Sequence, residues 1–580
     1  MYLKKLSSNK SQFHTIEFKE GLNFIIGRRQ NPEIKKLEET YNGVGKSLII
    51  ELIHFCLGSN KIDVFEEHLT GWTFTLEVEI NGEEFIVTRS CDEQTTCIVN
   101  DKEMSISKYT SLLAEKVFKI TSNDKISNVT FRSLISRFIR RYKSSYNKYE
   151  TYIIKETPYA KLVNNSYLLG LDAEMVQSKM KQKKQIDELV KSKRAVEKDP
   201  VLKEYFVGNE DLDIEITDLK DDINELETKL NEFKVAENYR DIQKQADEIS
   251  YKKRELANQI VLVQNSIRKV EKSLDIKPDI ELGSILKMYD EAKLVFDDNV
   301  VRNLEQVTEF HNKLLANRKT RLESQKQSLL NSKNDLEKNA NKYAKELDRL
   351  IGFLGSHGAL EEYTALSKEI NELRLKLEKA NDYKNILETY DDKLAEANIN
   401  IEQQKLAASK YVKENKALLE DIMNTFRSYS KTFYKDKSSG LDIKVNDGNN
   451  QLRFDINAKI IGDSSDGISE VCIFCFDMTL LKLKNHNVDF IFHDSRLFAN
   501  MDPRQRLSLL KIVESETKKG KMQYIASLNE DLILTLKDIV AEEDYENYKA
   551  LIDENTILVL TDTSDEDKLL GMTKDIPYDI

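Results

Sequence analysis

The sequence predicts an α/β protein whose two ends build one head and whose middle forms a long antiparallel coiled-coil insertion. Both ends carry alternating or apolar β-like runs closed by turn residues. The middle carries apolar residues at helical and heptad spacing with charged flanks. Breakers are scarce: the 580 residues include 6 prolines and 19 glycines, and only Pro200 and Pro278 lie between Pro158 and Pro503.

From the N-terminus, "HTIEFKEGLNFIIG" holds two β-like runs joined at Glu20-Gly21. "WTFTLEVEINGEEFIVTRS" alternates through Phe74, Leu76 and Val78, turns at Asn81-Gly82 and resumes at Phe85 and Val87, which is a hairpin pattern. Residues 1–172 are thus expected to supply the first half of the head. Over 173–425 the period changes. Leu219, Ile223, Leu226, Leu230 and Phe233 step by fours and threes, and so do Tyr363, Leu366, Ile370, Leu373, Leu377 and Ala380. Leu322, Leu329, Leu336, Tyr343 and Leu350 step by sevens.

Breaks fall near residues 205, 280 and 355, almost equally spaced. An antiparallel arm with its tip near 273–300 would place the outer two breaks opposite each other, as an elbow near 198–212 and 351–358. A tip at Gly355 is the alternative. Residues 426–580 return to mixed structure. "LDIKVNDGNNQLRFDINAKII" reads as a hairpin, "VCIFCFDMTLLKLK" as a helix, and "VDFIFHD" and "MQYIASLNED" as buried strands.

Composition excludes several classes. No apolar run reaches the roughly 20 residues that span a bilayer, and Met1–Glu20 lacks the apolar core of a signal peptide. Cys56, Cys91, Cys97, Cys472 and Cys475 are odd in number and sit in apolar surroundings, so buried reduced thiols in a cytoplasmic protein are expected. The seven histidines form no metalloprotease motif, and no nuclease constellation is visible. With 88 basic and 100 acidic residues the net charge is −12, so any nucleic-acid contact must come from a local basic face.

One motif carries chemistry. "NGVGKS" ends a phosphate-binding loop and opens an apolar helix, but the glycine that should begin the loop is absent from its usual place. Gly27, closing the strand "LNFIIG", supplies it. Asn42 then lies fifteen positions after Gly27 instead of two, an insertion of 13 residues, "RQNPEIKKLEETY". The nucleotide-binding set is Gly27, Asn42, Gly43, Val44, Gly45, Lys46, Ser47 and Leu48. Amides around Gly43–Gly45 would cradle phosphate oxygens, Lys46 would neutralise the β- and γ-phosphates, and Ser47 would hold Mg²⁺. Its distant partner is an aspartate ending an apolar strand, Asp494 in "FIFHD", which would hold the same metal.

A P-loop half, a coiled-coil arm and a second half ending in such a strand resemble the SMC-like branch of ABC ATPases, the class of RecN and SMC proteins. "NGVGKS", "IFCFDMTLL" and "HDS" are most similar to a bacterial YydD-like group. The resemblance implies an ABC-type head with ATP and Mg²⁺ as cofactors, heads that pair as a homodimer around ATP, and DNA and partner proteins such as a nuclease as ligands. It implies a role in repair, chromosome maintenance or defence against foreign DNA, or else an ATP-gated sensor with little hydrolysis.

Matched by residue, the signature motif of such heads falls on Ser465, Gly467 and Ser469, with Asp466 where a glycine is usual. Asp502 resembles the D-loop aspartate. Asn529 stands where a switch histidine is expected, and Ser495 where a glutamate usually orients water. Slow hydrolysis follows, with water positioned by His493, Glu470 or the second copy. Arg132, Arg137, Arg140 and Arg141, with Lys143, form a basic aromatic stretch whose helical reading puts Arg137 and Arg140 on one face. They would meet DNA, the nucleotide or the acidic arm, or form a salt-bridged face. Arg28 and Arg29 are further phosphate candidates.

Overall fold

The computed structural model describes residues 1–29, 43–121, 126–199, 212–232, 237–275, 298–354, 360–461, 466–537, 539–574 and 576. Asn42, Ser465, residues 30–41 of the P-loop insertion, residues 276–297 of the expected arm tip, most of the elbow segment 198–212 and half of the segment 351–358 lie outside them. The chain divides into two compact units, Met1–Ala195 with Tyr390–Ile580, and Val196–Thr389.

The first unit holds three sheets. Strands β1 (Tyr2–Ser8), β2 (Ile16–Glu17), β3 (Gly21–Arg28), β4 (Thr73–Ile80), β5 (Glu83–Ser90), β6 (Thr96–Val99) and β7 (Lys102–Ser105) come from the N-terminal part. The C-terminal part adds β8 (Ser439–Val445), β9 (Phe454–Ile460), β10 (Phe490–His493), β11 (Gln523–Asn529) and β12 (Thr556–Thr561). A six-stranded antiparallel sheet has the order β2-β1-β4-β5-β6-β7, a four-stranded parallel sheet the order β10-β11-β3-β12, and β8-β9 pair alone.

Both expected hairpins are present. At Asn81-Gly82 both residues have positive φ, 54° and 82°, and Ile80 pairs with Glu83, the geometry of a two-residue type I′ turn. The two runs joined at Glu20-Gly21 enter different sheets. Gly21, at φ 85°, turns the chain out of the antiparallel sheet and into β3. Asn23 stabilises that exit: its side chain donates to the Lys19 carbonyl at 2.8 Å and accepts from the Lys19 amide at 2.7 Å. β3 is buried along six consecutive residues, as a central strand of a parallel sheet requires, which explains why its sequence is continuously apolar and not alternating.

Helix α1 (Lys46–Cys56) is buried at ten of its eleven positions. Its polar residues Ser47, Glu51 and His54 share one face, and Glu51 and His54 are buried there against Arg141 and the Ile139 carbonyl. Around the sheets lie α2 (Asp63–His68), α3 (Ile106–Phe118), α4 (Phe131–Ile135) and α5 (Pro158–Leu168). Helix α6 (Ala173–Lys198) then leaves for the arm.

The second unit is helical: α7 (Leu212–Glu232), α8 (Glu237–Asp275), α9 (Asp298–Leu354) and the first part of α10 (Leu360–Glu414). α8 and α9 pair antiparallel, with Lys326 on Glu271 at 2.8 Å and Leu350 and Leu354 packed on Ala246. The heptad residues Leu322, Leu329, Leu336, Tyr343 and Leu350 lie on the shielded side of α9, as their spacing predicts. The residues leading into the break at 355–359 face Ile242–Ile249 of α8. α10 also runs beside α8 in the same direction, with Tyr363 at Asp247 and Asn371 at Arg254, and antiparallel to α7, with Arg374 at Glu227 and Lys384 at Asp213. α7 and α8 therefore run in opposite directions.

The chain re-enters the first unit through α10, followed by α11 (Lys416–Phe433), α12 (Asp466–Leu483), α13 (Pro503–Lys519), α14 (Glu530–Leu534) and α15 (Glu542–Glu554). All five cysteines are free and buried, as their surroundings predict, and burial pushes the Cys472 thiol up to about 12. Among the described residues no helix is long and apolar enough to cross a membrane.

Candidate functional site

The parallel sheet sets the site. Its register aligns Asn529 of β11 with Gly27 of β3 and His493 of β10 with Ala526, so the three strands end on one edge. Asp494 follows β10 at that edge, and the loop 43–45 delivers α1 to it. Gly43 and Gly45 have φ of 81° and 101°, the left-handed region where glycine costs least. Gly45 is required a second way, since a Cβ there would lie 2.6 Å from Leu569 Cβ. The Leu569 amide donates to the Val44 carbonyl at 3.1 Å, and its own carbonyl accepts from the His14 amide at 3.0 Å. The C-terminal segment thus braces the loop 43–45 from outside.

Lys46 begins α1 and extends over the end of β3. A Cβ at position 27 would displace its ammonium, so glycine there leaves Lys46 room to lie across the strand end. Lys46 is 7% exposed, and its pKa drops from 10.5 to about 8 because burial outweighs the nearby charges of Asp494 and Asp531. Leu48 points into the core.

Ser47 and Asp494 meet, although 447 residues separate them: Ser47 Oγ donates to Asp494 Oδ2 at 2.9 Å. Asp494 Oδ1 accepts from Ser495 Oγ at 3.2 Å and from the Arg496 amide at 3.1 Å. The Asp494 amide donates to Tyr146 Oη at 2.9 Å, and the Ser495 amide to Ser527 Oγ at 3.0 Å. Asn529 ends β11 with its Oδ1 buried and without a hydrogen-bond partner. Among the described residues no cluster of three His, Cys, Asp or Glu could cage a metal. A serine hydroxyl beside one carboxylate suits Mg²⁺, which takes few protein ligands and completes its shell with phosphate and water.

Behind Asp494 lies a polar network that the sequence reading did not assign. Asp477 on α12 is fully buried and accepts from Arg140 Nε at 2.6 Å, Arg140 Nη2 at 2.7 Å and Tyr152 Oη at 2.8 Å. His493 joins it through Nε2 at 3.2 Å, with Nδ1 at 3.2 Å from Tyr524 Oη. Burial alone would raise the Asp477 carboxyl, but Arg140 and His493 outweigh it and hold it below the usual range. His493 is therefore locked in the core and cannot meet water, which removes it as a water-positioning group. Glu470 is engaged as well, accepting from the Asn500 amide at 3.1 Å and from its side chain at 2.8 Å. The signal for Asp477 was present in the sequence: a lone acid in the apolar helix "VCIFCFDMTLL" must be paired when buried.

The arginine stretch is turned inward. Helix α4 ends at Ile135, so Arg137 and Arg140 do not share a regular helix face. Arg137 is buried, donating to the Ser133 carbonyl at 2.6 Å and to Glu156 at 2.5 Å. Arg140 donates to Asp477 and to the carbonyls of Tyr149 and Thr151 at 2.8 and 2.9 Å. Arg141 grips Glu51 at 2.6 and 2.7 Å, and Arg132 donates to the Gly58 carbonyl at 2.5 Å. Arg137 and Arg140 are thus interior ties of the head, whereas Arg132 and Arg141 are half-buried and Lys143 is exposed. Arg28 pairs with Glu530 at 3.4 Å and Asp553 at 3.6 Å.

At the signature-like turn, Gly467 is buried in the first turn of α12, where a Cβ would lie 3.0 Å from the Asn500 carbonyl. Ser469 Oγ donates to the Asn147 carbonyl at 3.4 Å. Asp502 caps α13, accepting from the amides of Arg504 at 2.7 Å and Gln505 at 3.1 Å in a capping box with Gln505.

Residues 429–574 match a family described as an uncharacterised protein conserved in bacteria, DUF2326. The chain is 24% identical over 595 aligned positions, 96% of its length and 97% of the relative's, to the uncharacterized protein YydD of Bacillus subtilis strain 168. Similar solved structures include an Smc head domain with coiled coil and joint from Pyrococcus yayanosii, at 14% identity and TM-score 0.36 over 91% of this chain and 92% of that one. Another is an Smc head with an extended coiled coil, bound to the C-terminal domain of ScpA, from Pyrococcus furiosus, at 11% identity and TM-score 0.33 over 92% and 91%.

Proposed function

We propose that the chain is an SMC-like ABC-type ATPase whose heads pair around ATP and Mg²⁺ and engage DNA, in repair, chromosome maintenance or defence against foreign DNA. One observation carries this reading: Ser47 and Asp494, from opposite ends of the chain, hydrogen-bond at 2.9 Å beside a buried Lys46. No packing requirement of a purely structural coiled-coil protein calls for a cation, a hydroxyl and a carboxylate at one strand edge.

The amides of Gly43–Ser47 at the start of α1 would receive phosphate oxygens, with Lys46 neutralising them. Ser47 and Asp494 would hold Mg²⁺, which supplies charge neutralisation on the phosphates when bound. Asn529, with its unpartnered oxygen, would orient a water or hydroxyl near the γ-phosphate. The signature-like turn at Ser465, Gly467 and Ser469 and the segment around Asp502 would face a second copy. Because Arg137 and Arg140 are buried and Arg132 and Arg141 are bonded within the head, a DNA surface would draw on other groups.

A specific observation favours the gated-switch variant of this reading. Ser495 follows Asp494 and turns its hydroxyl onto that carboxylate, and His493 is shut in the core, so fast water activation has no base at either position. In that variant ATP binding pairs the heads and controls a partner such as a nuclease. Ser495→Glu is expected to raise turnover by about 10²-fold, the usual yield of a positioned base. Unchanged turnover would place the catalytic slot elsewhere.

The deciding experiment measures ATP binding, hydrolysis and dimerisation by the full chain with and without linear duplex DNA. Hydrolysis that rises with DNA supports the DNA-engaging ATPase. Binding and pairing without turnover support the gated switch, and absence of ATP binding overturns both.

A further inference from the structure

The root of the arm contains a cavity of about 500 Å³, bounded by α6, the far end of α10 and the loop between β8 and β9. Two buried cations line it. Arg453 is 1% exposed; its Nη2 donates to the neutral Gln404 Oε1 at 2.7 Å, and its Nε has no acceptor. Lys179 is 5% exposed, and its ammonium donates to the carbonyls of Asn446 at 2.9 Å and Gly448 at 3.2 Å and to Asn446 Oδ1 at 3.3 Å.

The carboxylates nearby are committed to other groups. Asp187 pairs with Lys183 at 3.2 Å, Asp447 pairs with Lys405 at 3.2 Å, and Asp455 accepts from the Asn446 side chain at 2.7 Å. Glu402 sits exposed at the rim. Among the described residues neither Arg453 nor Lys179 forms an ion pair. Burial, and then the charge of Arg453, lower the Lys179 pKa to about 8, with Asp455 and Asp447 offsetting only part.

A buried charge without a counter-charge is destabilising in general. Two of them on one cavity, one with an unsatisfied N–H, describe a site whose chemistry suits an anion. We propose that this cavity binds a small molecule carrying an oxyanion, phosphate or carboxylate, held between the Arg453 guanidinium and the Lys179 ammonium. The cavity volume suits such a ligand, and the planar fork of arginine matches both oxyanions. Occupation would tie α6, α10 and the β8–β9 loop together. The site shares no residue with the phosphate loop and does not depend on the nucleotide reading.

The test uses the full chain carrying Lys46→Met, so that the phosphate loop does not contribute. It is titrated at matched ionic strength with inorganic phosphate, pyrophosphate and citrate, read by thermal unfolding and calorimetry. At least one is expected to bind saturably and raise the melting temperature. Phosphate or pyrophosphate binding assigns a phosphoryl ligand, and citrate alone a carboxylate.

Adding Arg453→Met is expected to weaken that binding at least tenfold while raising the unliganded melting temperature, a gain that a merely structural arginine would not give. Lys179→Met should weaken binding likewise, and it serves if the arginine variant fails to fold. No saturable response to any of the three anions, or affinity unchanged by the variants, overturns the proposal.

Discussion

Lys46→Met is expected to abolish ATP binding while making the nucleotide-free protein more stable at pH 7. The two effects share one cause. The ammonium is buried, and its pKa falls from 10.5 to about 8, so near neutrality the folded chain holds a charge it would be easier to lose. A gap of that size corresponds to about 3 kcal/mol, of which methionine, with a similar stem, should recover part.

The sign of the pH dependence follows. Between pH 8 and 10.5 the unfolded chain still binds the proton that the folded chain has released. Wild-type stability contributed by this group therefore rises with pH across that window, and the variant lacks the rise. Unfolding measured from pH 7 to 10, alongside ATP calorimetry, checks both halves. Normal ATP binding by the variant would remove the split-loop assignment.

Asp477→Ala is expected to cost about 3–5 kcal/mol, the usual loss when one member of a buried ion pair is removed. The reason is the Arg140 guanidinium, which would remain buried with its carboxylate gone. Replacing both partners, as in Asp477→Leu with Arg140→Met, should recover much of that loss, because neither charge then pays for desolvation alone. Because the Asp477 pKa is depressed, its contribution is present above the unfolded value of 3.8 and disappears as pH falls through the folded one. Equal losses in the single and double variants would show that Arg140 is held by its carbonyl contacts and not by Asp477.

The sequence was strong where local chemistry repeats a known geometry. Asn81-Gly82 demanded a turn with positive φ, and heptad leucines demanded a shielded seam. The apolar run ending in Gly27 demanded a buried strand, and the glycine-lysine-serine run demanded a helix start suited to phosphate. These signals depend on residues close in the chain, so one sequence suffices to read them.

Residues far apart in the chain were decided by packing. The arginines of 132–141 looked available because sequence cannot show whether a guanidinium meets solvent or carbonyls. Only the folded chain places Asp477, 337 residues away, against Arg140. The spacing of breaks does not fix the arm register, because side-chain packing sets it, as where Leu350 fits against Ala246. Sequence by itself determined the elements and the candidate phosphate loop. Tertiary structure alone decided that Ser47 meets Asp494, that the C-terminal segment braces Val44, and that Arg137 and Arg140 are buried. Each of those depends on which surfaces pack together, a choice governed by the free energy of the whole core and not by any single segment.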